Sequence, residues 1–178
     1  MKKILSIVLT LCLMLTFVGC AKKAYKQKPA EFSVSGLSIT LTKAFEAKNY
    51  DGYTACYDSR DVAVFVLKES YELKGDFKDL TLDEYAELVY KSNVDKKPTF
   101  VTKKDGVTYM EYEFINTDTG ETFKYLAAMY KGADAFWLVQ FSCAVDVYNE
   151  YFPYFISWAK TVNLSAASGD DGGHQEQV

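Results

Sequence analysis

Glu111 and Glu113 sit two residues apart in the run VTYMEYEFI, so a strand there would turn both carboxylates to one face. Two carboxyl groups at a fixed separation are what glycosidases use as acid and nucleophile or base. Glycosidase pairs usually come from separate elements, however, and the register set by the turn that follows puts Lys124 opposite Glu113. Solvated edge charges account for both residues. Asp58 and Asp61 flank Arg60 and could face a cation, but two carboxylates fall short of the ~6–8 oxygens that calcium takes. A plain β-turn accounts for them. Cys56 and Cys143 lie inside apolar strand patterns, and the one histidine, His174, stands in the C-terminal SAASGDDGGHQEQV. A nucleophilic cysteine therefore has no base in the folded region, and neither has Ser33, Ser35 or Ser38. No glycine-rich stretch is spaced as a phosphate cradle. These residue types predict no catalytic group, no metal site and no cofactor.

The residue with the clearest chemistry is Cys20. The chain opens MKKILSIVLTLCLMLTFVGCAKK, with Lys2 and Lys3 before an apolar stretch, Ile4 to Val18, too short for the ~20 residues that span a bilayer. That is an export signal. Phe17-Val18-Gly19-Cys20 resembles the lipobox of bacterial lipoprotein precursors, with Phe17 standing where leucine is usual. The resemblance implies that the Cys20 thiol takes a diacylglyceryl group, that Cys20 becomes the new N-terminus, and that acyl chains such as palmitate hold the protein to the membrane. Two chains anchor stably where one does not. Lys22, Lys23, Lys26 and Lys28 add attraction to anionic lipid. The expected organisation is a signal peptide over 1–19, a lipidated stalk over 20–31, one domain over 32–164 and a disordered tail over 165–178, on the outer face of the cytoplasmic membrane.

The 178 residues carry 24 acidic against 20 basic side chains, a net charge of −4 that becomes about −6 once Lys2 and Lys3 leave with the signal. This balance speaks against a nucleic-acid partner. Export permits a disulfide between Cys56 and Cys143 if their Cα atoms lie within ~7 Å, and two buried thiols are the other reading.

The elements that must position these residues follow from periodicity. GLSITLTKAF places Leu37, Ile39 and Leu41 on one strand face, and YTACY and VAVFVLKE give two further strands around Asp58-Ser59-Arg60-Asp61. DLTLDEYAELVYKSN changes to helical spacing, with Leu82, Tyr85, Ala86 and Val89 on one face, a Thr81–Glu84 capping box and a Leu80–Tyr85 staple. Val107–Ile115 and Thr122–Tyr130 alternate around NTDTG, which sets Glu113 opposite Lys124 and Phe114 opposite Phe123 and gathers Met110, Tyr112, Phe114, Phe123, Tyr125 and Met129 on one face. AFWLVQFSC is apolar on both faces, as a central covered strand requires. Asp146 is placed to cap a last helical region, which Pro153 either kinks or divides. Together these elements predict an α+β fold, an antiparallel sheet between helical layers.

This order of elements, with GLSITLTKAF near the start, DLTLDEYAELV on the helix and AFWLVQFSC before a terminal helix ending FISWAKTV, resembles small PsbP-like lipoproteins of Gram-positive bacteria. The resemblance implies an α/β/α sandwich and a role in binding, since the wider fold includes an extrinsic subunit of photosystem II and a nuclear-import factor that binds the GTPase Ran. It supplies no catalytic motif. The metal-ligating histidines of the plant subunits have no counterpart in residues 31–164. Among 14 tyrosines, Tyr148, Tyr151 and Tyr154 are spaced by three and form a candidate binding stripe if one helix continues through Pro153; packing onto the sheet is the competing use. The expected protein is a surface-tethered, non-enzymatic lipoprotein that binds a protein or other envelope component. A small-ligand carrier is the alternative, and an anchored enzyme acting on cell-wall or lipid material the third.

Overall fold

A computed structural model describes residues 23–73 and 75–165. Seven strands form an antiparallel sheet in the order β3 (Glu46–Lys48), β4 (Ala55–Asp58), β5 (Ala63–Ser70), β9 (Ala135–Ala144), β8 (Thr122–Lys131), β7 (Val107–Ile115), β6 (Thr102–Lys104). The central strand β9 is buried along its length, as its continuous apolar run requires. Helix α1 (Leu82–Ser92) covers one face, where Tyr85, Ala86 and Val89 pack on Met110, Tyr112, Ala127, Met129, Phe136 and Leu138. The Tyr85 and Phe136 rings stack there at 4.1 Å between centroids. Thr81 caps α1 through the expected box with Glu84.

The other face is covered by helix α2 (Tyr148–Ala159) together with a separate three-stranded sheet, β1 (Pro29–Val34), β2 (Leu37–Thr42) and β10 (Asn163–Leu164). The sheet between two layers is therefore present, but GLSITLTKAF belongs to the covering layer. Leu37, Ile39 and Leu41 point into the core, as their alternation requires. The two-residue turn between β1 and β2 has Ser35 at φ 47° and Gly36 at φ 97°, the twist that a right-handed hairpin needs.

Two expectations are corrected. Residues 24–31 are not a stalk: Ala24 is buried, and β1 begins at Pro29 because Ala30, Phe32 and Val34 give it a half-buried face. Asp146 does not cap α2. The helix starts from Val147 without a side-chain cap, and the Val147 and Tyr148 N–H groups donate to the Ala144 and Val145 carbonyls. Pro153 lies inside one continuous α2, on its exposed side, where the Asn149 carbonyl left without a donor can meet water. The signal segment, Cys20 and the tail from 166 lie outside the described residues.

Candidate functional site

The tyrosines of α2 do not form a binding stripe. Tyr148 and Tyr151 are 2% and 0% exposed, inside the core beneath α2. The Tyr151 hydroxyl donates to Asp61 Oδ2 at 2.8 Å, and the half-buried Tyr154 ring stacks on Tyr25 at 4.1 Å. Burying these rings gains more than displaying them, because α2 has no other large apolar face with which to dock.

Both aspartates of the 58–61 turn are occupied. Asp61 also accepts from Arg60 Nε at 2.9 Å, and Asp58 accepts from the Tyr50 hydroxyl at 2.6 Å. Burial raises the Asp58 carboxyl above its ordinary value. Cys56 and Cys143 are free and buried. Register explains why: Cys56 faces Phe65 and, across β5, Gln140, three residues from Cys143, so the two thiols point to opposite sides of the sheet. Burial pushes each thiol up to about 12, which leaves little thiolate at neutral pH.

A groove of about 650 Å³ runs along the end of β7, lined by Glu111 to Ile115, Lys124, Thr99 and the loop Asp95 to Lys97. Its backbone is the unusual feature. The Thr99 N–H donates to the Glu111 carbonyl at 2.8 Å, and the Glu111 N–H donates to Thr99 Oγ1 at 2.9 Å. Both polar groups of Glu111 thus point away from β8, and strand alternation turns those of Glu113 and Ile115 the same way. No described residue bonds to them. The sheet ends there because β6 stops at Thr102: the Thr99–Glu111 bonds lie one residue out of its register, so Lys97 is the next residue in line with Glu113, and no bond joins the two. Lys97, at φ 48°, turns the chain aside.

The side chains of the groove divide by face. On one face Lys124 pairs with Glu111 at 3.2 Å and lies 4.5 Å over the Tyr148 ring, although Glu113 is its register partner. The Tyr148 hydroxyl below them is buried without a hydrogen bond, and burial, reinforced by the Glu111 charge, holds it far above the usual tyrosine value. On the other face Lys96 donates to Asn93 Oδ1 at 2.9 Å and lies 4.8 Å from the Tyr112 ring centroid, and burial lowers its pKa. Ile115, 61% exposed, stands at the open end. A second hollow of about 300 Å³ at the β1–β2 turn is lined by Ser33 to Ser38, Asn163 and Ser165.

The chain is similar to the solution structure of a cyanobacterial PsbP protein, CyanoP, from Synechocystis, with a TM-score of 0.50 and 12% identity over 83% of this chain and 99% of that one. The fold is PsbP-like. No protein-family model and no curated protein matches the chain.

Within the PsbP-like domain, sequence reasoning found Glu111, Glu113 and Lys124 but treated them as surface charges. The missed residues, Asp95 to Lys97 and Thr99, lie in KSNVDKKPTFV, where Pro98 was the readable signal that no regular strand runs through the segment.

Proposed function

We propose that the chain is a surface-tethered, non-enzymatic lipoprotein, anchored through Cys20, whose PsbP-like domain binds a protein or other envelope component in the groove beside β7. The observation that carries this reading is the open edge at Glu113 and Ile115, a row of unpaired backbone groups in a groove of ligand-site size. The lipobox resemblance at Phe17 to Cys20 supports the anchor. The groove supports binding over catalysis, since its ionised side chains include an internal ion pair and its hydroxyl beneath is held protonated. A small-ligand carrier gains less from it, because the groove is open along the sheet rather than enclosed.

A photo-crosslinking residue in place of Ile115, in the intact lipoprotein in cells, tests the reading against the same residue in place of the exposed Leu73. A discrete envelope adduct from position 115 that is absent at position 73 and lost with Cys20→Ser is the expected result. Equal labelling at both positions, or an adduct indifferent to Cys20, overturns it.

A further inference from the structure

Resting on that reading, we infer that the groove takes an extended peptide as an eighth strand of the sheet, beside Glu113 to Ile115, with a lysine or arginine of the peptide opposite Glu113. The backbone requires an extended partner. Glu113 and Ile115 present N–H and C=O groups at strand spacing, and Thr99 already occupies the matching position beside Glu111. An incoming strand would continue the line that β6 and Thr99 begin, and its own backbone groups would meet four that are now unpaired.

Charge decides the side chain opposite Glu113. That carboxylate has Lys124 across the strand, but Lys124 is committed to Glu111 and the Tyr148 ring. Lys96 is held on the opposite face against Tyr112. On the far wall Asp95 and Lys97 are opposite in sign and offset each other. Glu113 is therefore the uncompensated charge on the edge, and a cation directly opposite it is the favourable cross-strand pair. The neighbouring peptide residues would lie beside Phe114 and next to the exposed Ile115, which suits apolar side chains. A second copy of this chain fits less well, because a two-fold pairing centred on Glu113 would set two carboxylates against each other.

The test uses the full chain, isotopically labelled in detergent micelles, and four blocked hexapeptides, Thr-Val-Xaa-Val-Val-Thr, with Xaa as Lys, Arg, Glu or Thr. With the Lys and Arg peptides, amide exchange at Glu113 and Ile115 slows by about tenfold or more, while that at Tyr112 and Phe114, already bonded within the sheet, is unchanged. The Glu peptide binds about fivefold or more weakly, and Glu113→Lys reverses the order of preference. Glu113→Pro, which removes an N–H unused by the fold together with the carboxylate, abolishes the protection at Ile115, whereas Glu113→Gln, which keeps the N–H, retains protection but loses the preference for Lys and Arg. No protection of Glu113 and Ile115 by any peptide at millimolar concentration overturns the inference. So does binding indifferent to charge at Xaa, or protection that appears with protein concentration alone, which marks self-pairing. A crosslink at position 115 in cells together with any of these failures leaves the binding reading standing and removes the strand-addition mode.

Discussion

Lys124 has two carboxylates within reach and takes one. Backbone register sets it opposite Glu113, yet its ammonium pairs with Glu111 and covers the Tyr148 ring. Burial decides between them: Glu111 is 20% exposed in its side chain and needs a counter-charge more than the exposed Glu113 does. Lys124→Met is expected to destabilise the domain by about 1–2 kcal/mol, because it leaves a partly buried carboxylate uncompensated beside a hydroxyl that cannot ionise. Urea denaturation of Lys124→Met, Glu111→Gln and the double variant measures this. A double variant whose loss equals the sum of the single losses would show that the pair is not coupled. The register of this site was legible in the sequence, since the NTDTG turn fixes it. The choice of partner was not, because a lysine reaches diagonal neighbours as well as the residue opposite, and exposure depends on a helix some 24 residues further along the chain.

The two helices differ in how much of them a sequence can show. Helix α1 carries its own start signal in Thr81 and Glu84 and its own apolar face, so local rules suffice. Helix α2 has neither a side-chain cap nor an interior free of proline. Its continuity comes from Tyr148, Tyr151, Phe155, Ile156, Trp158 and Ala159, all buried on one side across the proline. Tertiary packing outweighs the missing hydrogen bond, a balance that no window of sequence contains. Pro153→Ala restores an N–H for the Asn149 carbonyl at an exposed position and is expected to stabilise the domain by about 1–3 kcal/mol. The same variant should slow amide exchange between Asn149 and Phe155. Unchanged thermal stability and exchange would mean that α2 bends around Pro153 at no cost.

At the scale of the whole molecule, the segment expected to be a stalk is part of the fold, and this alters how an anchor at Cys20 would hold the domain. Thr42 Oγ1 donates to the Ala24 carbonyl at 2.8 Å in the core, the Tyr25 ring lies against Tyr151 and Tyr154, and Lys23 and the Tyr25 hydroxyl both bind Glu150. The period-two pattern of Ala30, Phe32 and Val34 was readable, but the short turn before it binds through contacts to α2, more than 120 residues away. Lys23 is only three steps along the chain from Cys20, so the tether spans no more than ~11 Å and would fix the start of α2 near the lipid. The Glu150 carboxyl is held below its ordinary value by Lys23 and by the Tyr25 hydroxyl, and Tyr25 in turn is pushed up to about 12 by that bond. A depressed carboxylate stabilises at neutral pH and loses its contribution as pH falls through and below the usual carboxylate range. Removal of residues 23–28 is therefore expected to cost about 2–3 kcal/mol at pH 7, chiefly from the Ala24 and Tyr25 contacts, with the difference from the intact chain narrowing as pH falls to 3. Six glycine-serine residues inserted after Lys22 should leave stability unchanged while allowing the domain to rise from a supported bilayer, as neutron reflectivity would measure. A domain already standing tens of ångströms from the bilayer without the insertion would show that these contacts release on anchoring.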